Sequence, residues 1–92
     1  MIRSFRDTEA EKIFRQQISK KFQAIQAITL RNLFQLHRAI TLDDLGAISG
    51  NRLEALKSDR KGQHSIRIND QYRICFRWRD KDAFDIEITD YH

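Results

Sequence analysis

The stretch Asp85-Ile86-Glu87-Ile88-Thr89-Asp90-Tyr91-His92 places an acid, a phenol and an imidazole on three consecutive positions. These are the groups of general acid–base chemistry. His92 leads them, because an imidazole has an unperturbed pKa of about 6.5 and changes charge near neutrality. Ahead of the triplet, Phe84, Ile86 and Ile88 alternate with polar residues, so the stretch reads as a β-strand. Taken alone, the same triplet equally describes a strand end fraying into solvent.

The cations lie mostly upstream. Between Asn51 and Arg79, eight cations (Arg52, Lys57, Arg60, Lys61, Arg67, Arg73, Arg77, Arg79) face three anions, a net of +5. From Asp80 onward five anions face Lys81 alone, a net of −4. A basic stretch beside an acidic edge suits a polyanionic ligand. Cross-strand ion pairing would account for the same charges.

The elements that must position these groups follow from periodicity. Ile2 to Phe5 reads as a short first strand. Thr8-x-x-Glu11 has the capping-box pattern and opens a helix with Ala10, Ile13, Phe14 and Ile18 on one face. A longer helix is expected from about Phe22 to Ala39, with Phe22, Ile25, Leu33, Leu36 and Ile40 on its core stripe. Leu30 sits at the edge of that stripe. Ile28 and Phe34 fall off it, as incidental surface residues or a partner's docking surface. Residues 41–63 show no sustained period and read as a long connection with one short strand at Arg52–Ala55. Two alternating runs, His64–Ile68 and Tyr72–Arg79, then join the last strand through turns at Asn69-Asp70-Gln71 and Asp80-Lys81-Asp82. The expected fold is α+β, an antiparallel sheet with two N-terminal helices on one face. Arg67, Arg73, Cys75 and Arg77 then share the other face with Asp85, Glu87 and Thr89.

Composition bounds the rest. Ninety-two residues with no Pro and three Gly indicate one domain over residues 1–92 without a linker. No apolar run approaches the roughly 20 residues of a membrane span. The opening Met1-Ile2-Arg3-Ser4-Phe5-Arg6 has no apolar h-region, which argues against a signal peptide. Cys75 is the single cysteine, expected to be a buried or sheet-face thiol. A cytoplasmic protein is expected, and neither a cofactor nor a metal is called for by the spacing of His, Cys and carboxylates.

Two stretches, "GNRLEALKSDRKGQHSIRINDQYRICFRW" and "DIEITDYH", together resemble the HigB-type toxins of the RelE superfamily, the plasmid maintenance system killer family. The resemblance runs from "MIRSF" to the final His92. It departs from the family in places. Ala47-Ile48-Ser49 stands where members often carry prolines, Ser58 occupies a usual glycine position, and some relatives have His where this chain has Glu54.

That resemblance implies a RelE-like microbial RNase fold and ribosome-dependent cleavage of mRNA. It also implies neutralisation by a helix-turn-helix (HigA-type) antitoxin that represses its operon, so operator DNA is met only through the antitoxin. RNA cleavage without a metal requires a base for the 2′-hydroxyl proton, a cation for the crowded phosphate and an acid for the leaving 5′-oxygen. On the family's pattern the candidates are His92, Arg73, Tyr91, Asp90 and Glu54. Arg73 is the phosphate cation, because its planar fork matches phosphate geometry; a cross-strand pair with Glu87 is its structural alternative. Asp90 would orient His92 or accept a proton, although strict alternation sets it on the side of Ile86 and Ile88. Tyr91 falls on the Arg73 side, where its ring would stack on a base. Lys57, Arg60, Lys61, Arg67 and Arg77 would serve the RNA or ribosomal backbone as sequence-blind charges. His64 shares the parity of Ile66 and Ile68 and reads as structural. The alternative is a catalytically inactive relative that binds antitoxin, ribosome or nucleic acid.

Overall fold

The alternating runs pair into one antiparallel sheet in the computed structural model, which describes residues 1–90. Strands β1 (Glu54–Ala55), β2 (Gln63–Arg67), β3 (Tyr72–Arg79) and β4 (Asp82–Asp90) lie across it in chain order. The β2–β3 turn is locked by Asn69, whose Oδ1 accepts from the amides of Gln71 (2.9 Å) and Tyr72 (2.7 Å). A side chain that bonds backbone two or three residues on is why Asn favours turns.

Helices α1 (Thr8–Phe14) and α2 (Gln26–Arg38) cover the face that carries Ile66, Ile74, Phe76 and Ile86. Ala10, Ile13, Leu33 and Leu36 are fully enclosed between the layers. Burying each Leu or Ile contributes about 1.5–3 kcal/mol, so this shared core holds the sheet that presents the opposite face.

Several local expectations are corrected. Helix α1 is capped by Asp7, not Thr8: the Asp7 carboxylate accepts from Glu9 N at 2.8 Å and, through its other oxygen, from Ile88 N at 3.1 Å. One carboxylate thus satisfies an orphan helix amide and an edge amide of β4 through its two separate oxygens. The helix ends at Phe14, leaving Ile18 72 % exposed beyond it. A 3-10 turn over Gln23–Ile25 leads into α2, which ends at Arg38, so Ile40 lies past the helix and is also exposed. Phe34 is not on the outer side. Its ring lies 5.8 Å from Phe14, because α2 packs on α1 as well as on the sheet.

The connection at 41–63 is more ordered than its pattern suggests. It contains α3 (Leu42–Gly46), opened by a reciprocal capping box between Thr41 and Asp44. The expected first strand is reduced to two parallel bridges, Ile2 with Ala83 and Phe5 with Ile86. Between them β4 bulges at Asp85, which takes φ +54°, and Ser4 Oγ accepts the Asp85 amide at 2.9 Å. An extra residue in one strand breaks the ladder at that point.

Candidate functional site

The pairing register places three cross-strand rows on the face opposite the helices. Arg67, Arg73 and Thr89 form one row; Glu54, Ser65, Cys75 and Glu87 the next; Gln63, Arg77 and Phe84 the third. The rows arise because directly opposed residues of antiparallel strands point to the same side.

Arg73 is the centre of this face. It is only 6 % exposed, and its guanidinium is held on three sides. Nε donates to Ser65 Oγ at 2.7 Å; Nη2 donates to the Ser65 carbonyl at 3.3 Å and to the Arg52 carbonyl. Arg52 adopts φ +45°, a left-handed conformation that a side chain resists, and thereby presents that carbonyl. The remaining terminal nitrogen, Nη1, lies 3.7 Å from Glu54 Oε1. The Glu54 side chain is 50 % exposed, so solvent and ligand reach the carboxylate while the cation beneath it stays fixed. Glu54 comes to this place because β1 pairs it with Ser65, next to Arg73's own row.

The structural alternative for Arg73, a pair with Glu87, is not what forms. Glu87 is taken by Arg60, whose Nη1 donates to Glu87 Oε1 at 2.5 Å and to Gln63 Oε1 at 3.2 Å. Arg60 enters from the 3-10 turn Ser58–Arg60, where Ser58 takes φ +56°. A residue expected as a loose backbone-binding charge therefore spans the face from β1's loop to β4. Cys75 lies buried in the same row, where burial pushes its thiol above the usual range and keeps it protonated.

The other cations differ in their availability. Arg67 pairs with the fully exposed Asp70, and Arg77 Nε lies 3.7 Å from Asp85 Oδ2 with both side chains about half exposed. Exposed pairs of this kind hold weakly, so both cations can exchange partners with a polyanion. Lys57 and Lys61 are exposed and have no ion pair among the described residues. His64 turns to the helix side and stacks on Phe76 at 6.2 Å, in keeping with a structural role.

Asp90 is not brought into Arg73's row. β4 continues unbroken through Thr89, and Asp90 stands opposite Tyr72, with Gln71 Nε2 donating to its Oδ2 at 3.2 Å. Tyr91 and His92 lie outside the described residues.

Alternation alone missed Phe84. It was expected beside Ile86 and Ile88, but the bulge at Asp85 reverses the parity, and Phe84 stands opposite Arg77 on the outer face. The Arg79 guanidinium covers its ring at 4.9 Å from the centroid. The acceptors around Arg73, Ser65 Oγ and the Arg52 carbonyl, were also unforeseen. Ser65's place in a polar alternation was the only sequence signal for either.

Among the described residues, no group of three or more His, Cys, Asp or Glu could hold a metal ion, and no helix is long and apolar enough to cross a membrane. What the face offers is a fixed cation beside an accessible carboxylate, rimmed by exchangeable positive charge.

Comparison with known proteins bears on the use of that arrangement. Residues 3–92 match the family described as the RelE-like toxin of the type II toxin–antitoxin system HigB. Toxin HigB-1 of Vibrio cholerae serotype O1 (strain ATCC 39315 / El Tor Inaba N16961) is 42 % identical over 57 residues, 62 % of this chain. The match spans 60 % of that relative's length. The fold is similar to that of YoeB in a heterotetrameric YoeB–YefM toxin–antitoxin complex from Staphylococcus aureus (TM-score 0.61, 26 % identity, covering 100 % of this chain and 95 % of the other). A YoeB dimer from the same organism is similar to a like degree (TM-score 0.59, 27 % identity, covering 99 % and 94 %).

Proposed function

The chain belongs to the RelE-like toxins of HigB type II toxin–antitoxin systems, and from that premise we propose that it is an endoribonuclease cleaving messenger RNA on the ribosome. The observation that carries the reading is the Glu54–Arg73 pair, an open carboxylate 3.7 Å from a buried and immobilised guanidinium.

The chemistry is an internal transfer at phosphorus. A carboxylate at Glu54, or the imidazole of His92, takes the proton of the 2′-hydroxyl. The 2′-oxygen attacks the adjacent phosphorus as the bond to the 5′-oxygen breaks. The leaving oxygen receives a proton from the other of these groups, giving a 2′,3′-cyclic phosphate and a 5′-hydroxyl. Arg73 stabilises charge on the equatorial oxygens, and its prior fixation by Ser65 and Arg52 means that it need not reorganise during the step. Tyr91 stacks on a base near the scissile bond, and Asp90 acts from the rim of the site. Arg67, Arg77, Lys57 and Lys61 bind the RNA or ribosomal backbone. Arg60 contributes by bracing Glu87 and the sheet face.

The partners are the ribosome with its message, in the cytoplasm, and a helix-turn-helix antitoxin that covers the toxin in a hetero-oligomeric complex and carries it to operator DNA. Relatives of this fold that are solved as toxin–antitoxin complexes support an antitoxin partner.

Mapping mRNA 5′ ends after brief induction, in the wild type beside His92→Ala and Glu54→Gln, tests the function. New ends clustered within codons in the wild type, and lost in the variants, are expected. An intact message pool with normal growth at high expression would instead leave a noncatalytic antitoxin-binding relative.

A further inference from the structure

The geometry points to a second subsite on the outer face: a nucleobase seat formed by Phe84, Arg77 and Arg79, which holds a nucleotide near the scissile phosphate. This rests on the reading of the chain as an RNA-binding nuclease and adds a position to it.

The seat is produced by one backbone irregularity. Between the paired positions Cys75–Glu87 and Arg77–Phe84, β4 carries one residue more than β3, and Asp85 absorbs it at φ +54°. Phe84 is thereby turned from the helix side to the cation side. An aromatic ring that could have joined the core stands half-buried at the wall of a cleft of about 320 Å³, which lies at the small end of the range for ligand sites.

The rest of the wall suits a flat, electron-rich ligand on an anionic backbone. Arg79 lies over the Phe84 ring, a cation–π pair that a base extends by stacking on the guanidinium. Arg77 lines the same cleft, and its Nη1 approaches Gly62 so closely that a Cβ there would stand 2.9 Å away. Gly62 also takes φ +93°, so a side chain would be strained as well as crowded. The one anion present, Asp85, pairs with Arg77 at 3.7 Å and is bonded by Ser4 Oγ at 3.4 Å, leaving the cleft with an excess of positive charge.

The seat is continuous with the site already described. Arg73 and Arg77 are four residues apart on one strand and on the same face, a separation of about 13 Å at the usual rise. An extended strand whose phosphate lies at Arg73 brings a nearby base over Phe84. Stacking tolerates any base, so this seat sets affinity and register and does not read sequence.

Binding is read from the anisotropy of a 5′-fluorescein label on the RNA, because Trp78, the only tryptophan of the chain, has its side chain on the helix side beside Phe76. The test titrates a short single-stranded oligoribonucleotide into Glu54→Gln protein, alone and combined with Phe84→Leu, Phe84→Tyr or Arg79→Gln. The expected result is a rise in anisotropy, with affinity lowered about 5- to 150-fold by Phe84→Leu and largely kept by Phe84→Tyr. Arg79→Gln, an exposed change, lowers it several-fold and serves if Phe84→Leu does not fold. An anisotropy that does not rise, or equal affinity across the set, overturns the seat. The two readings separate cleanly. A wild-type chain that cleaves RNA while affinity ignores Phe84 refutes the seat alone. Phe84-dependent RNA binding by a chain that never cleaves RNA refutes the nuclease alone.

Discussion

The carboxylate of Glu54 stands 3.7 Å from the guanidinium of Arg73, one half exposed and the other almost wholly buried. This asymmetry separates their roles. A buried cation that already has three protein acceptors is a fixed electrostatic element, whereas an accessible carboxylate can trade a proton. Substituting each should therefore give different phenotypes.

Glu54→Gln is expected to lower cleavage by about 10²–10⁴-fold with little change in thermal midpoint. Arg73→Ala is expected to lower cleavage by about 10²–10³-fold. It also strips the bond partner from Ser65 Oγ and the Arg52 carbonyl, costing on the order of 1–3 kcal/mol of stability. Cleavage assays beside urea unfolding of the two variants measure both effects. Equal stability loss in both would contradict the asymmetry.

Arg60 and Glu87 close over the row that contains Cys75, the only thiol. Arg60→Ala should raise the rate at which a thiol reagent labels Cys75 in the native protein by at least several-fold, because it removes the side chain that spans the face. Wild-type Cys75 should label slowly, being buried and held protonated. The reading fails if the two labelling rates are alike.

Ser58 holds φ +56° in the turn that delivers Arg60. A left-handed conformation costs an L-residue roughly 1–2 kcal/mol and a glycine far less. Ser58→Gly should accordingly raise stability, offset in part by the greater freedom of glycine in the unfolded chain, to a net of about 0.5–1 kcal/mol. Calorimetry reads this as a rise in Tm of a few degrees. A fall would mean that Ser58 is not strained.

Glu9 is held below its ordinary pKa of 4.5, first by the Ser19 hydroxyl at 2.7 Å and then by Lys12; Asp44 is held below 3.8 by the amides of Thr41 and Ile40. A depressed carboxylate adds stability that is complete above its unfolded pKa and is lost as pH falls through its folded pKa. Stability should therefore be flat above about pH 5 and decline below about pH 4.5. Glu9→Gln and Asp44→Asn should each shallow that decline. Denaturation midpoints across pH 2–6 test it, and an unchanged acid slope in both variants would contradict the assignment.

How far these features were legible in the sequence depended on the range of the interaction. Ile66, Ile74 and Ile88 were placed on the core face by alternation, because residues two apart on a strand share a side regardless of context. Phe84 was misplaced because the bulge depends on how β3, β4 and the Ile2–Phe5 segment pack together, and an Asp at positive φ leaves only a faint signal. Phe34 was misplaced for a similar reason: a single apolar stripe describes a helix with one partner surface, and α2 has two. In the site, Arg73 was identified through family resemblance, and Glu54 beside it. Their pairing, and the diversion of Glu87 to Arg60, are tertiary facts set by register. Thr41-x-x-Asp44, by contrast, is a readable capping pattern for α3 in a segment that has no long apolar period.

The claim on which everything else depends is that this face cleaves RNA through its own side chains. Its most direct measurement is the chemistry of the product ends after purified chain is added to ribosomes programmed with a defined message. A 2′,3′-cyclic phosphate and a 5′-hydroxyl, abolished with Glu54→Gln, are the predicted result. Products ending in a 5′-phosphate, or cleavage that Glu54→Gln leaves intact, would contradict it.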